Sequence, residues 1–246
     1  MNLLEEISAF HILLIAIIVI LILVLFFRVR LKFLLIRMVY GRYHFKYLRL
    51  FNRYFINRPY PDAIKDEPWD YVNNSFKSKP GLQFKTDEEI QFVDNKVGEV
   101  YPRFFKITGD PDYLTISDPG QKHIQFIVAG YKAMVYDYQA MLVYYFVDSL
   151  LVMGQFRFRR EKQALDINHL IEKLRERYKI DIPQGINKPF QLIDRNDNCI
   201  NFRDNGFSVE LNVLNYKNQK ILNILNDHPL NATAGDEVAD KQVVTF

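Results

Sequence analysis

AMLVYYFVDSLLVMGQFRFR, residues 140–159, decides the fold class. Asp148-Ser149 divides it into two apolar runs, and in the second Val152, Gly154, Phe156 and Phe158 alternate with Met153, Gln155 and Arg157. A period of two marks a strand with one buried face, so a half-buried strand is predicted. A membrane span over the same stretch is disfavoured, because Lys132, Asp137 and Asp148 leave no uncharged window of about 18 residues. Just upstream, HIQFIVAG (123–130) and AMVYDY (133–138) carry the same strand formers. The turn-rich GDPDY (109–113) and SDPG (117–120) precede them, where Asp caps turns and Pro fixes φ.

Working outward, DINHLIEKLRERYK (166–179) predicts a helix capped by Asp166, with Ile167, Leu170, Ile171, Leu174 and Tyr178 on its core face. CINFR (199–203) and FSVELNVL (207–214) predict two strands. Asp204-Asn205-Gly206 joins them, and Asn-Gly is a strong hairpin signal because both residues tolerate positive φ. On the other side, TDEEIQFVDNKVGEV (86–100) predicts a second helix, with Thr86 and Glu89 as a capping box and an apolar face of Ile90, Val93, Val97 and Val100. Pro102 is expected to stop it. A capped helix followed by antiparallel strands, then the same again, resembles the helix-plus-hairpin units of small envelope proteins. The likeness covers element order and spacing alone, and the glycine-proline turn of those units is absent at Gly98-Glu99.

The first 60 residues are of another kind. ISAFHILLIAIIVILILVLFF (7–27) carries no Lys, Arg, Asp or Glu, and about 21 helical residues reach roughly 30 Å, the thickness of a hydrocarbon core. A single transmembrane helix is predicted here. Glu5 and Glu6 stand where a signal peptide would be positive, and the only cysteine, Cys199, is far from any lipoprotein site. From residue 7 to 61 there is no acidic residue, while nine Lys and Arg fall between Arg28 and Arg58. Six of them lie between Arg28 and Lys46 and none precedes the span, so the positive-inside rule places the N-terminus outside and the C-terminal domain in the cytosol.

RYHFKYLRLFNRYF (42–55) interleaves these cations with aromatic residues. Arg42, Lys46, Arg49 and Arg53 are spaced four, three and four apart, so a helix aligns them. Tyr43, Tyr47 and Tyr54 fall beside them, as at a headgroup region. The partner expected for these seven residues is the anionic face of a lipid bilayer. A nucleic-acid reading uses the same ingredients but has no supporting motif, and a formal charge of only +3 over 246 residues does not favour it.

The expected organisation is therefore a transmembrane helix over 7–27, a basic and aromatic juxtamembrane helix over 28–58, an extended connector with four prolines over 59–81, an α+β soluble domain over 82–226 and a flexible tail over 227–246. The fold class is α+β, an N-terminal single transmembrane helix followed by antiparallel strands with two packed helices.

Chemistry is sparse. The five histidines show no ligand spacing, and no phosphate-cradling loop or serine elbow is present, so no catalytic, metal or cofactor-binding residue is assigned. DRNDN (194–198) begins like a calcium loop, but Cys199 and Asn205 occupy the positions that need Gly and Glu, so a polar turn is predicted. Cys199 itself reads as a small buried hydrophobe. The expected function is a membrane-anchored accessory or scaffold protein whose cytosolic domain binds another protein. The competing expectation is a membrane-tethered enzyme whose site is assembled from residues distant in sequence.

Overall fold

A computed structural model describes residues 3–54, 68–78, 80–93, 97–98, 100–117, 125–183, 185–186 and 188–227. The chain forms two compact units, Met1–Phe55 and Ile56–Phe246.

In the first unit, helix α1 runs Leu3–Tyr40. Its two arms, Phe10–Leu23 and Phe27–Tyr40, are bent by 65° relative to each other. No single helix among the described residues is long and apolar enough to cross a membrane, although the two arms together satisfy length and composition. A straight transmembrane helix over 7–27 is thus not shown. The continuous helix expected over 28–58 is divided: α1 stops at Gly41, whose φ of +87° suits a residue without Cβ. The Gly41 amide donates to the Arg37 carbonyl at 2.9 Å. Helix α2, Phe45–Tyr54, then packs back on the second arm of α1. It buries Phe45 and Leu48, and Phe33 of α1 meets Tyr47 and Tyr54 edge-on at centroid distances of 5.5 and 6.2 Å.

Among its described residues the second unit contains one eight-stranded sheet. Its strands are β1 Leu82–Lys85, β2 Tyr113–Ser117, β3 Phe126–Val135, β4 Tyr138–Val147, β5 Leu150–Arg159, β6 Phe190–Ile193, β7 Asn198–Asp204 and β8 Ser208–Asn215. They lie in the order β1-β6-β7-β8-β5-β4-β3-β2. Every pairing is antiparallel except β1 with β6. The α-helices among the described residues of this unit are α3 Pro68–Lys77, α4 Tyr101–Thr108, α5 Ile167–Tyr178 and α6 Gln219–Asp227. The mixed α+β class holds, with more helices than the two expected.

Alternation along β4 sorts the layers. Val143, Tyr145 and Val147 join one core with Trp69, Val72 and Phe76 of α3 and Ile221 and Leu225 of α6. Tyr144 and Phe146 point the other way, against Phe104 of α4 at centroid distances of 4.4 and 5.2 Å. On that same face Tyr138 meets His169 of α5. With helices on both sides, β5 is buried on both faces except near its ends, and the half-buried strand expected there is corrected. A bulge contributes: Tyr145 pairs Met153 while Phe146 pairs Leu151, leaving Val152 as the extra residue, and Val152 joins Met153 in the α3/α6 core.

Three local expectations fail for physical reasons. Residues 86–92 are not helical. Thr86 does accept from the Glu88 amide at 3.0 Å, but its hydroxyl donates to the Tyr178 carbonyl at 2.6 Å, and the Ile90 amide donates to the Asp194 carboxylate at 2.9 Å. Tertiary partners thus take the groups a helix would have used. The helix starts instead at Tyr101, with Pro102 in its first turn, where a fixed φ favours initiation. Likewise Pro68 opens α3 inside the region expected as an extended connector. Lastly, α6 was not expected at all, and it fills the core with Ile221 and Leu225. The resemblance to helix-plus-hairpin units loses its first helix and is not supported. Residues 55–58 of the expected juxtamembrane helix, 59–67 and 79 of the expected connector and 228–246 of the expected tail lie outside the described residues.

Other expectations hold. Asp166 caps α5 by accepting from the Asn168 amide, and Leu170, Ile171, Leu174 and Tyr178 are buried. The β7–β8 hairpin forms as expected, though it turns through Asn205, Gly206 and Phe207 with positive φ at Gly206 and not at Asn205, and DRNDN is a polar turn centred on Asp194.

Candidate functional site

The sheet face shared by α3 and α6 changes character from row to row. One cross-strand row is Val143, Gln155, Asn212, Asn201 and Gln191, on β4, β5, β8, β7 and β6. Four of these five carry side-chain amides, and all are buried. Burial of so many polar groups is tolerable only when they satisfy one another. Gln155 Nε2 donates to Asn212 Oδ1 at 3.0 Å and to the Tyr71 hydroxyl of α3, while Tyr145 donates to Gln155 Oε1 at 3.2 Å. The Tyr71 hydroxyl accepts from Asn212 Nδ2 at 3.2 Å and donates to Glu210 Oε2 at 2.9 Å. Gln191 donates to Asn201 at 2.8 Å, and Asn201 to the Tyr216 hydroxyl at 2.9 Å.

Burial first, and the Glu210 carboxylate second, push the Tyr71 hydroxyl far above its ordinary value. Burial also raises Tyr136, Tyr178 and Tyr216, the last to about 12 from an ordinary 10.0. Ionisation of these hydroxyls is disfavoured in the folded chain only. Their contribution to stability is therefore complete below pH 10 and is lost as pH rises, for Tyr216 through about 12. In an alkaline titration followed by tyrosinate absorbance, the folded chain is expected to lag behind the urea-unfolded chain, with cooperative unfolding above pH 10. Coincident curves for all 15 tyrosines would contradict this.

The next row outward is Lys132, Met141, Arg157, Glu210 and Arg203. Here the sheet opens into a shelf of about 590 Å³ lined by Lys132, Met134, Met141, Arg157, Arg159 and Lys162 among others. Arg157 Nε is 3.5 Å from Glu210 Oε1, Arg159 is 3.3 Å from Glu161, and the Lys132 ammonium sits 5.6 Å from the centre of the Tyr113 ring. The shelf thus combines cations, thioethers and an aromatic ring. At the adjoining β7–β8 hairpin Phe207 is 86% exposed, and its carbonyl accepts from the Arg160 amide at 3.0 Å. An exposed methionine and phenylalanine beside arginines are chemistry suited to a protein surface.

Among the described residues no group of three or more His, Cys, Asp or Glu is placed to hold a metal ion. Cys199 is buried in the α3/α6 core, consistent with a packing role.

The residues assigned from sequence to a membrane surface belong to the first unit. Lys46, Arg49 and Arg53 come together on α2 as their spacing requires, and with Lys32, Ile36 and Leu50 they line a cleft of about 310 Å³ between α1 and α2. Arg42 and Tyr43 lie in the turn before α2, with the Arg42 guanidinium 5.7 Å from the Tyr43 ring centre. Tyr47 and Tyr54 contact Phe33. Lys46 lies 4.3 Å from the Tyr40 ring centre, and its ammonium donates to the Tyr40 hydroxyl at 3.0 Å. Lys32 is the cleft residue that sequence spacing missed; a turn signal at Gly41 was the only available hint that α2 folds back.

No protein-family model matches this chain, and neither a curated protein nor a solved structure matches it.

Proposed function

We propose that this chain is a membrane-anchored accessory or scaffold protein whose α+β unit faces the cytosol and docks a protein partner. The observation that carries this reading is the first arm of α1. From Phe10 to Leu23 its large apolar side chains are exposed, with Ile12 at 65%, Leu21 at 55% and Ile22 at 58%, an arrangement that water penalises and a bilayer does not. The acid-free basic segment that follows orients it. The shelf with Met134, Met141 and the nearby Phe207 is the docking surface we assign to the partner.

A membrane-tethered enzyme is the second reading. The Glu210–Arg157 pair, where a buried carboxylate borders an open shelf, favours it. Identifying the proteins that copurify after mild detergent extraction separates scaffold from enzyme.

Topology is tested directly. Protease added to sealed right-side-out vesicles is expected to leave a C-terminal tag intact until the membrane is opened. Digestion of the tag in intact vesicles would invert the assignment, and recovery of the chain in the soluble fraction would remove the anchor.

A further inference from the structure

The second arm of α1 is two-faced. Leu31, Leu34, Leu35, Met38 and Val39 recur at helical spacing and are 44, 55, 62, 75 and 70% exposed. At 3.6 residues per turn the opposite side carries Val29, Phe33 and Ile36, which are partly buried, and α2 packs on that side through Phe33. The exposed apolar stripe therefore lies on the side of the arm away from α2. Arg30, Lys32 and Arg37 flank this stripe and Arg28 stands at its N-terminal end, so the helix has the composition of one that lies in an interface with its apolar face down. The 65° bend fits, because when the first arm stands along the membrane normal, an arm turned that far from it lies closer to the membrane plane than to its normal.

Above the stripe, the cleft between the helices collects four cations, Lys32, Lys46, Arg49 and Arg53. No Asp or Glu occurs from residue 7 to 61 to offset them. A phosphodiester brings one negative charge, whereas a phosphate monoester brings about 1.5 to 2 and three strong acceptor oxygens, which suit a guanidinium fork and two ammonium groups.

We propose that the hairpin formed by residues 27–54 is an interfacial lipid-binding device. Its apolar stripe enters the acyl boundary, and its cationic cleft holds a lipid headgroup bearing a phosphate monoester. This rests on the membrane-anchored reading and adds to it the class of lipid bound. It also reassigns the binding residues: Lys32 joins the cleft, and Arg42, in the turn, stands outside it.

The test uses the full-length protein in neutral detergent micelles. It is titrated with micelles doped with a phosphatidylinositol phosphate or with phosphatidylserine, or with a soluble inositol phosphate, and binding is followed by calorimetry. The monoester lipid is expected to bind about tenfold more tightly than phosphatidylserine, given roughly a tenfold effect for each one or two basic contacts after screening. That preference should be lost in the Lys32→Gln/Arg49→Gln/Arg53→Gln variant, with helix content by circular dichroism unchanged. Arg42→Gln should lose less than Lys32→Gln. The soluble phosphate should bind more weakly than the lipid, because the lipid is confined to the micelle that already seats the stripe and so meets the cleft at a higher local concentration. Equal binding of both lipids overturns the cleft assignment, and a soluble phosphate that binds as tightly as the lipid overturns the lipid source. Absence of the preference in the unsubstituted protein, with that protein recovered in the membrane fraction of cells, refutes the cleft alone. A chain found in the soluble fraction refutes the anchor and this inference together.

Discussion

Gly154→Ala is expected to destabilise the α+β unit by about 3 kcal/mol, at the upper end of what overpacking costs. Gly154 lies on β5 between Tyr144 and Val213, and a Cβ built there would sit 2.2 Å from the Phe92 ring. Space decides this position, because its backbone conformation is open to any residue. The ring has little room to retreat: Phe92 is fully buried and meets Tyr144 and Phe156, each at a centroid distance of 4.6 Å. A loss of this size lowers the melting temperature of a domain this large by roughly 6–12 °C. Combining Gly154→Ala with Phe92→Leu, which shortens the obstructing side chain, should recover part of the loss. Urea denaturation of the four proteins gives the coupling energy, and strict additivity would show that the ring is not what the new methyl meets.

Asp194→Ala should cost about as much, roughly 3 kcal/mol, through lost hydrogen bonds and not through packing. The Asp194 carboxylate is nearly buried and accepts from the Ile90 amide at 2.9 Å, the Asn196 amide at 2.8 Å, and the Asn198 amide and side chain at 2.9 Å each. It therefore closes the β6–β7 turn and also fastens the non-helical 86–92 segment to it. Alanine would leave these donors without acceptors in a place water reaches poorly. Asp194→Asn, which keeps one acceptor oxygen, should lose about half as much. Urea midpoints measure both, and equal losses would show that the negative charge matters more than the number of acceptors.

Segment 86–100 shows how far local reading goes. Its capping-box residues and apolar spacing describe a helix, and Thr86 even makes the expected bond to the Glu88 amide. What the helix reading could not include was Asp194, about a hundred residues later, offering the Ile90 amide a charged acceptor. By contrast α5 was legible to its cap, because Asp166 and the Asn168 amide it accepts are neighbours in sequence. The β7–β8 hairpin was legible for the same reason, since a short turn sets its register.

Two other hairpins were harder to read. Tyr136-Asp137 and Asp148-Ser149 are two-residue turns in which both residues have positive φ, at 51°, 68°, 45° and 76°, without the glycine that usually announces such turns. Asp148 offsets part of that cost by accepting from the Gln125 amide at 2.9 Å. The row of buried amides was invisible from sequence, because Gln155, Asn212, Asn201 and Gln191 each look like an outward-facing polar residue of an alternating strand. They are interior because α3 lays Tyr71 across them and its hydroxyl accepts and donates in turn.

The sequence by itself determined what depends on neighbours along the chain: an apolar run placed before an acid-free basic segment, strand periodicity, one capped helix, and a stripe of cations on α2. Tertiary structure decided what depends on residues far apart meeting. It replaced a helix at 86–92 with tertiary hydrogen bonds, covered both faces of the sheet, and folded α2 at Gly41 so that Lys32 joined Lys46, Arg49 and Arg53. The physical reason is the same in each case. Local propensities are worth a few tenths of a kcal/mol per residue, whereas one buried hydrogen bond or one packed aromatic ring is worth about a kcal/mol or more, so where the two disagree the distant partner prevails.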